Sequence, residues 1–300
     1  YLSNLRTNIS RDSEFFGSLK TIGSTVGVGK RLKWPDDFFT SLTSLNYQYF
    51  ELVNWSSSTL PLPFRDGFSN IISLQQTIAR SSVDHPLFPT SGSNFEFSIQ
   101  ATPPFSSFSD KDYTDPNLTD EERYKWIEFH KWKIKAEWYS RMKGKFVLKT
   151  AAKMGYLGLY NNDIGLSPFE RFFVGGDGVS NVSTYGSEII SNRGYDATNT
   201  SAGAFGKYVV ELRYPVSTNP NSTIFLLSFY EAANQWRTIS EVNPFELRQS
   251  AGVGLRVFLP MFGLLGFDYG IGFDNLNKGD TFSDALNKGT FNIILGFEPE

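Results

Sequence analysis

Apolar and polar residues alternate with a period of two along most of this chain. Between residues 131 and 138 the tryptophans and the isoleucine fall on one face, and the lysines fall on the other. Residues 20–32 set isoleucine and valine against glycine, threonine and arginine. Because successive side chains of a strand point to opposite faces, this pattern predicts β-strands.

About twelve such segments follow one another, and most are near the 9–11 residues with which a tilted strand crosses a bilayer. Aromatic residues make up 16% of the chain, although its mean hydropathy is only -0.27. This mixture is typical of an apolar outer wall, a polar lumen and aromatic girdles. We therefore predict an all-β fold, a transmembrane antiparallel β-barrel. A soluble all-β fold is the alternative.

The predicted connections alternate in length, as they do in such barrels. Residues 81–93 and 140–145 form connections on one side. The segments 105–126 and 161–205 are longer, and we place them outside the cell. Residues 119–122 (TDEE) have the pattern of a capping box, which predicts a short helix in the first long connection.

Composition excludes several classes of protein. The chain has no cysteine, which excludes zinc fingers, thiol catalysis and disulfide scaffolds. The net charge of -3 shows no excess of basic residues of the kind that binds nucleic acid. Its two histidines, His85 and His130, lack metal-ligand spacing, and its glycine-rich segments lack a phosphate-loop pattern. We predict no metal, no cofactor and no enzymatic activity. A membrane lipase using His130 is a minor alternative.

Lys131, Lys133 and Lys135 form a ladder on the predicted lumen face. We interpret them as solvated charges that balance acidic neighbours. An anion-selective pore is the alternative, but a filled or plugged lumen fits the ladder equally well.

A polar loop between residues 191 and 200 contains Arg193, Gly194 and Tyr195 in succession. A solvated arginine in a flexible turn is one interpretation. The other is that the loop folds into the lumen and delivers the arginine to a specific partner. Gly194 permits the tight backbone that this requires.

Strands after this loop carry carboxylates that face inward. Alternation over residues 207–216 turns Glu211 inward, and a less regular pattern places Glu231 inward with Phe229. In an inward loop, Arg193 can form bidentate pairs with either carboxylate. Tyr195 can then lie against Phe229.

Several motifs in the same order resemble the C-terminal barrel of the BamA family of outer-membrane protein assembly factors. They are RGY in a long loop after SPFERFFVGGDG, then ELRYPV, FYEAANQW, SAGVGLRVFLPMFGLLGFDYGIGF and a last strand TFNIILGF. The turn DHPLFPTSGS also fits, and FLPMFGLLG is most similar to the Bacteroidota branch. The GGDG–RGY loop is longer than in enterobacterial members, and the GFEPE tail lacks a final aromatic residue.

The resemblance implies a sixteen-stranded barrel behind periplasmic POTRA domains. Residues 1–300 then form the last twelve strands, with a long inward loop over about 161–205, and the first four strands and the POTRA domains are absent from the chain. A complete twelve-stranded barrel is the structural alternative. In the family the RGY loop lies inside the barrel, and its arginine meets acidic residues that correspond here to Glu211 and Glu231.

The implied function is the insertion of β-barrel proteins into the bacterial outer membrane through a seam at the last strand. The implied partners are unfolded outer-membrane proteins, periplasmic or surface lipoproteins, and the lipid bilayer with lipopolysaccharide. A two-partner secretion transporter and a porin are alternatives. The predicted edge strand contains Thr290, Phe291, Asn292, Ile293, Ile294, Leu295, Gly296 and Phe297, with Phe291, Ile293, Leu295 and Phe297 facing lipid.

Overall fold

Twelve antiparallel strands form one continuous sheet in the computed structural model, which describes residues 2–8, 16–55, 62–176, 187–196, 198, 200–219, 222–260 and 263–296. The strands are β1 (Leu2–Asn8), β2 (Phe16–Arg31), β3 (Phe39–Val53), β4 (Gly67–Ser81), β5 (Gly92–Ala101), β6 (His130–Arg141), β7 (Val147–Gly158), β10 (Ala204–Asn219), β11 (Ser222–Trp236), β12 (Arg248–Leu259), β13 (Gly263–Gly272) and β14 (Thr290–Gly296). The predicted all-β fold with about twelve strands is confirmed.

Sheet order follows chain order, except that β10 pairs directly with β7. Between them, β8 (Phe172–Val174) and β9 (Glu188–Ile190) form a separate parallel pair in the long connection. The alternation that predicts the strands also sets their two faces. In β10, Val210 and Leu212 are exposed, whereas Glu211 between them is buried. Apolar side chains therefore point outward and charged ones inward, the reverse of a soluble protein.

Eight strands are longer than the predicted 9–11 residues. Strands β6, β7 and β12 exceed that length by one residue, whereas β2, β3, β4, β10 and β11 contain 15 or 16 residues each. At roughly 3.3 Å per residue, such a strand extends about 50 Å. That length exceeds a bilayer core of about 30 Å even at a tilt of about 45°. The ends of these strands therefore extend beyond the hydrocarbon layer.

Connections alternate in length as predicted. Turns such as 142–146 lie on one side, and the connections 102–129 and 159–203 lie on the other. The predicted helix is α1 (Asp120–Arg123), where the Thr119 hydroxyl accepts the backbone N–H of Glu122. A second helix, α2 (Phe282–Asn287), has a complete capping box that we did not predict. Within the described ranges, no helix has the length and apolar character needed to span a membrane.

The inner side of the sheet is filled from both ends. On the long-connection side, Phe169 stacks on Phe50 of β3 with ring centres 4.2 Å apart. It belongs to a buried apolar cluster that includes residues of β2, β3, β4, β8, β10 and β11. On the opposite side, Phe88 of the β4–β5 turn packs on Phe225 of β11, with ring centres 5.1 Å apart. Connections from both ends thus supply side chains to the interior.

Candidate functional site

The long connection before β10 delivers Arg193 to acidic side chains on the inner wall. Arg193 Nη2 lies 2.6 Å from Glu231 Oε1 and 2.8 Å from Glu211 Oε1. Its Nε also donates to Glu231 Oε1 at 2.9 Å, and its backbone N–H donates to Glu231 Oε2 at 3.0 Å. All three residues are at most 4% exposed. The structure therefore brings together Arg193 and both carboxylates named from the sequence.

A third carboxylate in this cluster, Asp268 of β13, was missed by the sequence reasoning. Arg193 Nη1 lies 3.3 Å from Asp268 Oδ2, and Arg256 of β12 binds both Asp268 oxygens at 2.6 and 2.8 Å. The signal was present, because alternation in LLGFDYGIGF puts Asp268 between two outward aromatic residues. One loop arginine thus contacts β10, β11 and β13, three strands of the same wall.

Tyr195 was predicted to lie against Phe229, and the described ring contacts include none between these two residues. Arg193 occupies that ring instead, with its Cζ 3.7 Å from the ring centre, a cation–π contact. The Tyr195 hydroxyl donates to the backbone oxygen of Gln249 at 2.8 Å and lies 3.1 Å from Asp274 Oδ2. The left-handed turn at Gly194, with φ of +92°, sends the two side chains in different directions.

Gly194 lies directly against the backbone of β13. A Cβ on Gly194 would stand 2.9 Å from Gly272 N, and one on Gly272 would stand 2.7 Å from Gly194 O. Real Cβ atoms are essentially never closer than 3.0 Å to such atoms. Glycine on both sides is therefore what lets the loop touch the strand.

Further cations surround the carboxylates. Arg213 Nη2 lies 2.6 Å from Glu211 Oε2, and Lys207 Nζ lies 3.2 Å from Glu231 Oε1. Lys207 also donates to the backbone oxygen of Ser191 at 2.6 Å. Burial by itself lowers the pKa of Arg193, but the neighbouring carboxylates, Glu231 first, raise it above its ordinary value. The guanidinium is therefore a permanent charge. We call Arg193, Glu211, Glu231 and Asp268 the latch.

A second set of ion pairs ties the same connection to β6. Lys131 Nζ lies 3.1 Å from Glu170 Oε2 and 3.0 Å from Glu188 Oε1, and Lys133 Nζ lies 2.9 Å from Glu188. The interpretation of the ladder as solvated is wrong for Lys131, which is 2% exposed. The connection itself excludes water there and supplies the compensating charge.

Strand β14 ends the sheet at the carboxyl-terminal side and pairs only with β13 among the strands described. Phe291 and Ile293 are 60% and 49% exposed, and Ile294 is buried on the inner side. Buried Thr290 Oγ1 and Asn292 Nδ2 have no hydrogen-bond partner within the described ranges. For the other predicted edge residues, the backbone places Leu295 and Gly296 in the strand, and Phe297 lies outside the described residues.

His130, the residue that a lipase would use, packs among aromatic rings. Its Nδ1 accepts the indole N–H of Trp132 at 2.9 Å, and its ring lies beside Tyr156 and Tyr160. No serine bonds to His130 among the contacts described, so its surroundings suit a structural role. Across the described residues, no group of three His, Asp or Glu side chains is placed to hold a metal.

An antiparallel sheet with an apolar outer face, an ion-paired inner face and alternating connections defines a transmembrane β-barrel protein. The family model that matches is the Omp85 superfamily domain, over residues 3–298. The chain therefore belongs to the Omp85 superfamily of outer-membrane β-barrel proteins of Gram-negative bacteria. No match was found among curated protein sequences.

Solved structures share this fold. BamA from Haemophilus ducreyi lacking POTRA domains 1-3 superposes with a TM-score of 0.61 at 16% identity, over 97% of this chain and 56% of that one. CdiB from Escherichia coli superposes with a TM-score of 0.55 at 14% identity, over 91% of this chain and 45% of that one. The chain thus spans about half the length of the solved relatives that it matches.

Proposed function

We propose that this protein inserts β-barrel proteins into the outer membrane, with β14 as the strand on which a substrate strand pairs. The observation that carries the proposal is the edge of β14, which among the described strands pairs with β13 alone. An unpaired strand edge presents a row of backbone donors and acceptors to an incoming strand. The exposed Phe291 and Ile293 set the same outward face as the rest of the wall.

The latch supports this proposal from the neighbouring strand. Asp268 lies opposite Asn292 in the register of β13 and β14, and its carboxylate is held by Arg193 and Arg256. The strand next to the edge is therefore fixed to an inward loop. In this arrangement β13 is held rigidly, and the short edge strand β14 is the strand that can exchange pairing partners.

A cysteine-pairing experiment tests the proposal directly. The chain has no cysteine, so Ile293→Cys introduces its only thiol. We expect disulfides between Ile293→Cys and cysteines placed along the last strand of an outer-membrane β-barrel substrate that is stalled during insertion. Ser228→Cys is the matched control, because Ser228 is also exposed but lies between β10 and β12. Equal yields at the two positions would contradict pairing at the edge.

Two-partner secretion is the second candidate, because the fold also resembles that of CdiB. Depletion of the protein separates the two. Insertion activity predicts that many outer-membrane barrels fall together, whereas secretion predicts that one secreted protein is lost while other barrels stay intact.

Surface-exposed aromatic residues support the proposed lipoprotein partners. Phe245 and Phe282 are 91% and 79% exposed, and both lie in long connections on the same side of the sheet. Aromatic side chains on a water-facing surface are common anchors in protein interfaces. Co-purification of lipoproteins with the wild type, and their loss with Phe245→Ser, tests this assignment. If Phe245→Ser still co-purified with every lipoprotein, Phe245 would not be part of the interface.

A further inference from the structure

A cavity of about 500 Å³ lies inside the sheet, between the latch and the β4–β5 turn. Ser191 and Arg193 line one end, and Val83 and Leu87 of the turn line the other. Its wall comes from β5, β6, β7, β10, β11, β12, β13 and β14. The insertion function proposed above does not use this space.

Three lysines cross the wall of this cavity in a single row. Lys153 of β7 is the Cα partner of Lys135 on β6 and of Lys207 on β10. All three line the cavity. Like charges directly opposite each other on neighbouring strands are destabilising. The row therefore weakens the sheet unless a negative charge lies among the lysines.

Carboxylates of the described residues compensate the charges of this row unevenly. Lys207 binds Glu231 and Ser191, and Lys135 also lies opposite Glu96 of β5, which is exposed. Lys153 makes no ion pair within 4 Å in the described part of the chain. The middle of the row is thus the position with the least compensation.

Among the described residues, the lining of the cavity carries an excess of positive charge. Seven cationic residues line it, against three carboxylates, and Asp268 behind Arg256 adds a fourth. For these described residues the excess is therefore three positive charges. The cations are Lys135, Lys149, Lys153, Arg193, Lys207, Arg213 and Arg256. An excess of enclosed positive charge is costly, which favours an anion held in this space.

We propose that the cavity binds a phosphate-class oxyanion, with Lys153 and Lys135 as its direct ligands. Inorganic phosphate or a phosphate monoester carries close to two negative charges at neutral pH, which offsets more of the excess than one carboxylate does, whereas the phosphodiester of a phospholipid carries one. Lysine binds phosphate as a flexible point charge with three donors. The phosphate comes from free inorganic phosphate or from a lipid headgroup, whose apolar part would contact Leu87, Leu264 and Ile294 on the cavity wall.

Binding is measured on the full-length protein in phosphate-free detergent, by equilibrium dialysis with labelled inorganic phosphate and by the thermal unfolding midpoint. Chloride at matched ionic strength is the reference, since general screening affects both salts equally. We expect saturable phosphate binding and a rise in the midpoint. Lys153→Met, which keeps the chain length and removes the charge, should weaken binding by about tenfold or more, which is about 1.4 kcal/mol. Lys111→Met, at an exposed lysine of the β5–β6 connection, should bind like wild type.

Lys153→Met makes the test independent of a general loss of folding. Removing an uncompensated like charge should raise the midpoint in phosphate-free buffer while abolishing the response to phosphate. Lys135→Met provides a second variant with the same expected loss of binding. Native mass spectrometry separates the sources: a phospholipid retained by wild type and lost from Lys153→Met identifies a headgroup. The proposal would be overturned if the wild type bound neither phosphate nor phospholipid, or if Lys153→Met bound phosphate as well as the wild type does.

Discussion

The Cζ atom of Arg193 lies 3.7 Å from the centre of the Phe229 ring. The nitrogens of the same guanidinium contact Glu211, Glu231 and Asp268. The ring therefore supports the face of the cation while carboxylates bind its edge. This arrangement gives one loop residue contacts to three strands, so truncation of Arg193 removes all of these contacts at once.

Arg193→Ala should destabilise the barrel by about 3–5 kcal/mol, because it leaves buried carboxylates without a partner. Heat-modifiability on gels, or thermal unfolding in detergent, measures the change. Glu231→Gln should also destabilise, and the double variant should cost less than the sum of the single ones. Arg65→Ala is the control, since Arg65 is exposed. Additive losses for Arg193 and Glu231 would mean that the latch does not couple them.

Gly272→Ala should lower stability much more than a glycine replacement in open space. Its Cβ would meet Gly194 O at 2.7 Å and the Tyr195 ring at 2.8 Å, so the loop must move away from β13. Gly194→Ala adds strain, because φ is +92° there. Gly144→Ala is the matched control: φ is +74°, but nothing lies within 4 Å of its Cβ. If the unfolding midpoints of Gly194→Ala and Gly144→Ala fell equally, backbone strain alone would explain the loss of stability, and the close approach to β13 would contribute nothing.

Regular alternation explains which parts of the fold and the site were predictable. It located twelve strands and turned Glu211 inward, because an inverted barrel wall imposes polarity at every second residue. Asp268 follows the same rule, because it alternates with the outward Phe267 and Tyr269. Tyr195 was different, since its direction depends on a single left-handed residue rather than on a period. Glu170 and Glu188 lie in an irregular connection, where no sequence period connects them to Lys131.

Glu170→Gln should destabilise the attachment of the long connection to β6. Glu170 is 4% exposed and lies 3.1 Å from the buried Lys131, so its removal takes one of two carboxylates from an enclosed cation. The double variant with Lys131→Met should recover part of the loss, because the cation is then absent too. Limited proteolysis of the connection, with unfolding midpoints, measures both effects. The ion pair between Lys131 and Glu170 would be contradicted if the double variant were cleaved as fast as Glu170→Gln and its unfolding midpoint did not recover.

High pH should weaken the contact between Tyr195 and the β12–β13 end of the wall. Burial, with the nearby Asp274 carboxylate, raises the pKa of Tyr195 to about 12, from an ordinary value of 10.0. Because the folded-state pKa is the higher one, the contribution to stability is full below pH 10 and is lost between about pH 10 and 12.

Tyr195→Phe isolates this part of the pH dependence. The phenylalanine cannot ionise, so the difference in stability between wild type and Tyr195→Phe should shrink as pH rises through this window. Tyr113→Phe, in the β5–β6 connection, should keep the wild-type pH profile. A constant difference between wild type and Tyr195→Phe from pH 9 to about pH 12 would contradict the raised pKa.

Ile293→Lys should test whether the exposed face of β14 meets lipid. Ile293 on the strand and Ile239 on the β11–β12 connection are equally exposed, at 49% and 51%. A lysine facing the centre of the bilayer destabilises a barrel by about 2–4 kcal/mol, whereas one near the interface costs about 0–1 kcal/mol. Unfolding in lipid vesicles should therefore show a large loss for Ile293→Lys and little for Ile239→Lys. Equal losses of stability for the two variants would mean that both positions lie at the same depth. The outer face of β14 would then not lie in the hydrocarbon layer.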